Sequence, residues 1–236
     1  TSTRKSIPTL VLTYSGVMTK QSANVAISVA DWLRLGAQNH PDRACLVTNE
    51  DEFSFAVTDA RVNRLANALA ERGVGRGDRV AIFATDSFRY VETLLASIRL
   101  AATYVPLNFR LAEPELRLLL QTAQPTCLFI SERYASMVAA VRDDVPSLRF
   151  IVTYDGVADA ASAVEAYEEM LAQSHEADAA VPIADDEIVG LCFTSGTTGL
   201  PKGVLHSHKT TKQFVLQTMI ERRLVSESFH HSPAPI

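Results

Sequence analysis

The sequence is poor in cysteine, in basic charge and in long apolar runs. Its three cysteines, Cys45, Cys127 and Cys192, are odd in number and far apart, with no metal-ligand spacing. A disulfide framework and a zinc site are excluded. Reduced, buried thiols in a cytoplasmic protein fit best. No stretch approaches the roughly 18 consecutive apolar residues of a transmembrane helix. Lys+Arg 22 stand against Asp+Glu 27, a net charge of −5, and no basic block tracks a phosphate backbone. Nucleic acid is therefore set aside as a partner. What remains, 47% hydrophobic and 21% charged residues in a chain of 236, is an ordinary globular composition. Disordered, collagen-like and coiled-coil classes drop out.

The ends carry little. Arg4 and Lys5 precede a short apolar stretch at 7–11 that Thr9 interrupts. Residues 1–17 read either as a leader or as upstream sequence before a natural start at Met18. Residues 226–236 stop without a helix or cap signal, which reads as a cut. The adjacent His230 and His231 read as loop histidines rather than metal ligands, because neighbours on a strand point in different directions.

Between the ends, short apolar runs alternate with helical periodicity. Residues 44–48 read as a strand, and 57–72 as a helix with Val57, Ala60, Leu65, Ala66 and Leu69 at roughly helical spacing. Gly73, Gly75 and Gly77 resemble half a dinucleotide fingerprint. They follow a helix and precede a strand, the reverse of the required order, so a helix cap and turn is the better reading. A strand at 79–84, a helix at 87–100 and a strand at 104–106 follow. Glu113-Pro114-Glu115 then opens a helix. Strands at 126–130 and 148–153 flank a helix at 132–142, and 162–173 reads as a surface helix. Residues 174–186 read as a solvated linker, 188–193 as a buried strand, and 209–223 as a helix. Such alternation predicts an α/β fold, a mostly parallel sheet with flanking helices.

One stretch carries chemistry: Thr194-Ser195-Gly196-Thr197-Thr198-Gly199-Leu200-Pro201-Lys202-Gly203. Glycines let successive N–H groups converge on one concavity, hydroxyls add adaptable donors, and a lysine adds compact positive charge. That combination suits polyphosphate. It is not the common phosphate loop of kinases and GTPases, because Lys202 follows a proline and precedes glycine rather than Ser or Thr.

The segment 194–203 resembles the phosphate-loop signature of the adenylate-forming (AMP-binding) superfamily. Upstream, Phe53-Ser54-Phe55 with residues 61–66, then 77–82, then 98–108 resemble further motifs of that family, so the likeness covers roughly 28–225. Val57 and Thr58 replace the usual Glu-Leu, and Ala101 replaces the usual Gly, all at scaffold positions. By resemblance the fold is part of the family's large N-terminal domain. Thr194, Ser195, Gly196, Thr197, Thr198, Gly199 and Lys202 would hold the β- and γ-phosphates of ATP, with Mg2+ on those phosphates. Gly203 would serve only the turn. His208 falls where many family ligases have a histidine, and His206 reads as an ordinary histidine. No catalytic residue and no metal ligand is assigned within the chain.

Residues 204–208 resemble the acyl-CoA synthetase branch. The resemblance implies conversion of a carboxylic acid and ATP to an acyl-adenylate and pyrophosphate, then thioester formation with coenzyme A, in the broad setting of fatty acid metabolism. An amino-acid-adenylating domain and a non-catalytic nucleotide-binding fragment remain the competing readings. Residues 18–236 would then be an incomplete AMP-binding domain, with the lid domain absent. The chain alone is expected to be inactive and to self-associate.

Overall fold

The computed structural model describes residues 11–13, 28–159, 163–194, 201–221 and 229–231. It holds two sheets. The smaller has four strands, β1 (Val11–Thr13), β2 (Ala44–Val47), β3 (Glu52–Ser54) and β11 (Phe229–His231), in the order β11-β1-β2-β3, antiparallel throughout. Val11, inside the segment that reads as leader or upstream sequence, pairs with Val47. His230 and His231 lie in β11 rather than in a loop.

The larger sheet carries seven strands. They are β4 (Arg79–Phe83), β5 (Thr103–Pro106), β6 (Cys127–Ile130), β7 (Phe150–Thr153), β8 (Val164–Ala166), β9 (Ile188–Thr194) and β10 (Lys202–Ser207), in the order β10-β9-β5-β4-β6-β7-β8. All neighbours are parallel except β10, which runs antiparallel to β9. The mostly parallel α/β expectation holds.

Period-two alternation splits the strands' side chains between two cores. Val80, Ile82, Cys127, Phe129 and Val152 face one, and Ala81, Phe83, Leu128, Ile130 and Ile151 face the other. The first core is covered by α2 (Phe55–Glu71), α3 (Phe88–Arg99) and α6 (Tyr167–Ala172), with α1 (Asp31–Asn39) against α2. The second is covered by α4 (Glu113–Ala123) and α5 (Ala135–Val141).

Local chemistry sets the helix ends. Ser54 caps α2 by accepting from the Val57 N–H, and Ser87 caps α3 by accepting from the Tyr90 N–H. At α4, the Glu115 carboxylate accepts from the Ala112 N–H at 2.8 Å. Gly73 (φ 73°) follows the C-terminus of α2 as a left-handed residue, so the helix-cap reading of the glycine cluster is right. Ala101 takes the same role after α3, with φ 56°. The family's preference for glycine there has a physical basis: a Cβ is strained at that φ.

Three sequence expectations change. The helix expected at 162–173 is strand β8 followed by the shorter α6. Tyr167, Met170 and Leu171 of α6 are buried, so it is no surface helix, and residue 162 lies outside the described residues. The helix at 132–142 is α5 between two short 3-10 turns at Glu132–Tyr134 and Arg142–Asp144. The supposed linker is a strap pinned along its length. Asn67 donates to the carbonyls of His175 and Ala177, Arg64 donates to that of Ser174, and the Val181 N–H donates to the carbonyl of Arg99. Polar helix faces hold it where an apolar pattern leaves no trace.

Candidate functional site

In an open α/β sheet, ligands bind beyond the carboxyl ends of the strands, where successive crossovers leave in opposite directions. Here β4 leads through α3 on one face to β5, and β5 leads through α4 on the other face to β6. The switch point lies between β4 and its other neighbour β6, whose crossover leaves through α5 on the face opposite α3. Strand β9 lies parallel beside β5, so Thr194 ends at the same carboxyl edge.

A close approach seats β9 there. A Cβ on Gly190 would stand 2.6 Å from Cζ of Tyr104, so glycine lets β5 and β9 pack. Beyond Thr194 the chain returns as β10, with Lys202 opposite Thr194 and Gly203 opposite Phe193. The expected ten-residue loop thus has strand at both ends, Thr194 in β9 and residues 202–203 in β10. The Thr194 hydroxyl donates to the Lys202 carbonyl at 3.4 Å, and both residues are exposed. Of the expected phosphate ligands, Thr194 and Lys202 are brought together across this pair. Ser195, Gly196, Thr197, Thr198 and Gly199 lie outside the described residues. Gly203 sits in β10 rather than in the turn, where a Cβ would come within 2.9 Å of Leu191 Cδ1.

His208 lies apart from the Thr194–Lys202 pair. Strand β10 ends at Ser207, opposite Ile188 at the start of β9, so His208 opens helix α7 (His208–Glu221) at the far end of the hairpin. It is 1% exposed, and its backbone N–H donates to the Glu187 carbonyl at 3.0 Å. Burial pushes its imidazole pKa down, the Lys212 ammonium acts the same way, and Asp185 pulls back. Strand β10 is an element of this site that sequence reading missed, being short and exposed over its first four residues.

Sequence reading also missed a cationic, aromatic cluster at the ligand edge. Phe109 and Arg110 follow β5, while Arg133 and Tyr134 follow β6. The Arg110 guanidinium lies 4.7 Å from the Phe109 ring centre and that of Arg133 lies 4.7 Å from the Tyr134 ring centre. Tyr134 in turn packs on Phe83 of β4, centroids 4.5 Å apart. Two guanidinium groups are thus held near the switch point. The signal was in the sequence as Arg beside an aromatic residue just after each of two predicted strands.

A cleft of about 330 Å³ lies at the opposite edge, among Arg76, Arg79, Thr103, Glu187 and Leu205. Its arginines are engaged. Arg76 pairs with Glu187 and donates to the Pro182 carbonyl, and Arg79 donates to that of Ala123. No group of three His, Cys, Asp or Glu side chains suited to a metal occurs among the described residues. No helix among them is long and apolar enough to cross a membrane. Cys45 and Cys127 are free and buried, and Cys192 is free and half-buried.

A mostly parallel sheet covered by helices on both faces defines the class as a three-layer α/β protein. The family profile described as AMP-binding enzyme matches residues 33–235, and the chain belongs to that family. It is 32% identical over 189 residues to a medium/long-chain-fatty-acid–CoA/3-oxocholest-4-en-26-oate–CoA ligase of Mycobacterium tuberculosis (strain CDC 1551 / Oshkosh), covering 78% of this chain and 34% of that one. It is 34% identical over 182 residues to an indoleacetate–CoA ligase of Aromatoleum aromaticum, covering 77% of this chain and 35% of that one. Among solved structures it is similar to the anthranilate CoA ligase AuaEII in complex with anthranoyl-AMP (TM-score 0.71, 26% identity, 78% of this chain and 35% of that one). The chain thus spans about a third of the length of the curated relatives it matches.

Proposed function

We propose that this chain supplies the phosphate-binding part of an AMP-forming acyl-CoA synthetase, one that converts a carboxylic acid and ATP to acyl-adenylate and pyrophosphate and then forms a thioester with coenzyme A. The observation that carries the reading is the Thr194–Lys202 pair, which closes a glycine- and hydroxyl-rich segment at the carboxyl edge of a parallel sheet. Names of similar proteins support it, since several are acid–CoA ligases. Residues 18–236 belong to the AMP-binding domain in this reading, with the phosphate loop at 194–203.

Both reactants of the first step are anions, so neutralisation and positioning dominate its barrier. Lys202 brings a positive charge to the β- and γ-phosphates. Thr194, Ser195, Thr197 and Thr198 offer hydroxyl donors, and Gly196 and Gly199 let backbone N–H groups approach. These residues fit a polyphosphate and supply no carboxylate for Mg2+, which would ride on the phosphates and offset their charge. Arg110 and Arg133 add cationic surface at the same edge for anions that enter there. Free thiols buried at Cys45 and Cys127 agree with a cytoplasmic setting.

Lys202→Ala tests the reading. In an intact enzyme that carries this chain, loss of one charge-assisted contact, about 1.5–3 kcal/mol, is expected to lower ATP-pyrophosphate exchange with a panel of carboxylates by roughly 10- to 100-fold. The exposed position predicts an unchanged unfolding midpoint. Undiminished exchange would make Lys202 a purely structural residue.

A further inference from the structure

The foot of the β9–β10 hairpin holds a group that the phosphate chemistry does not use. His208 is the first residue of α7, 1% exposed, and its Nδ1 is buried with no hydrogen-bond partner. The helix start around it is tightly specified. Ser207 and Thr210 cap it reciprocally: the Ser207 N–H donates to Thr210 Oγ1 at 2.9 Å, and the Thr210 N–H to Ser207 Oγ at 3.2 Å. The same turn is tied to the strap. The His208 N–H donates to the Glu187 carbonyl at 3.0 Å, the Lys209 N–H to the Asp185 carbonyl at 2.8 Å, and Lys212 pairs with the Asp185 carboxylate.

We propose that His208 is a pH-sensitive latch: uncharged, it lets the first turn of α7 seat on the strap at residues 185–187, and protonated, it drives that turn off. Three features oppose a proton on the docked imidazole. It is buried, it stands at the positive end of a helix dipole, and Lys212 follows one turn later on its own helix. Lys209 adds a second positive charge beside it. Asp185 and Glu187 on the strap oppose these cations, but both are spoken for. Asp185 holds Lys212, while Glu187 holds Arg76 and accepts from the Ala184 N–H at 2.7 Å.

The sign follows from linkage. Unfolded or undocked, His208 takes a proton around its ordinary pKa of 6.5, while the docked form resists it. Docking is therefore fully present above 6.5 and weakens as pH falls, until the docked form itself is protonated. Beyond the seat, α7 has little to hold it, with Phe214 69% and Ile220 78% exposed. Loss of the first turn frees the helix. The latch goes beyond the proposed ligase reading and does not depend on ATP.

Hydrogen exchange of the whole chain between pH 7.5 and 5.5, corrected for the intrinsic rate, reads it out. Opening of α7 amides is expected to rise by up to about tenfold per pH unit below 6.5, with α3 unchanged. His208→Gln, which cannot titrate, removes that dependence, whereas His206→Gln keeps it. Should the Gln variant fail to fold, a carbon-13 titration of His208 in the unaltered chain decides. A midpoint below 6.5 that coincides with α7 opening supports the latch. A midpoint at 6.5, pH-independent α7 exchange, or unchanged dependence in His208→Gln would overturn it.

Discussion

The body from β4 to α6 and the arm formed by β10 and α7 are built on opposite principles. In the body, β6 and β7 are buried at every residue, and two layers of helix close both faces. In the arm, four of the six β10 residues are exposed, and Phe214, Leu216 and Ile220 of α7 stand in solvent. The body is held by apolar area spread over many side chains. The arm is held by a hairpin ladder, a cap, two backbone hydrogen bonds to the strap and the Lys212–Asp185 ion pair. The Thr194–Lys202 pair, on which the proposed phosphate site rests, joins β9 of the packed sheet to the exposed β10.

One substitution made in both regions tests the contrast most strongly. Phe129, on the interior strand β6, is 0% exposed, whereas Phe214 on α7 is 69% exposed. Phe129→Ala is expected to destabilise by about 3–5 kcal/mol through lost burial and a cavity, and Phe214→Ala by less than about 0.5 kcal/mol. Urea unfolding of the two variants measures both. Equal losses would mean that α7 is part of the cooperative core.

A comparable effect is expected at the body's buried ion pair. Glu92 on α3 is fully buried and accepts from Arg61 Nε at 2.6 Å and from the Tyr167 hydroxyl at 2.7 Å, which ties α2, α3 and α6 together. Arg61→Ala strands that carboxylate and is expected to cost about 3–5 kcal/mol at neutral pH. Burial already raises the Glu92 pKa, with Arg61 opposing it. Removing Arg61 raises it further, so the deficit should shrink as pH falls and the carboxyl takes a proton. Urea midpoints at pH 7 and pH 5 check the sign.

The smallest expected effect runs the other way. Ala101→Gly relieves a left-handed residue at the end of α3 and is expected to stabilise by about 1 kcal/mol, seen as a higher melting temperature. It sharpens the comparison, since it improves a body whose packing is otherwise complete.

Much of the body was legible in advance. Ser87 before an apolar-periodic run and Gly73 after one mark helix ends, and continuous apolar runs such as Cys127–Ile130 mark strands buried on both faces. Such signals are local, because caps and periodicity involve residues within a turn of each other. The likeness at 194–203 was legible for the same reason, as a contiguous phosphate-loop pattern.

What the amino acids determined unaided was therefore the alternation of strand and helix, and the family. Tertiary structure alone decided the rest. It made residues 174–187 a clamped strap, because Asn67, Arg64 and Arg99 reach it from helices more than 80 residues away in the chain. It turned the flank of the loop into strand β10, because β9 offered an open edge to pair with. It carried His208 to the far end of that hairpin and brought Arg110 and Arg133 to the ligand edge. Each of these depends on pairing between distant segments. Sequence periodicity reports only which face of an element is apolar, not which partner will cover it.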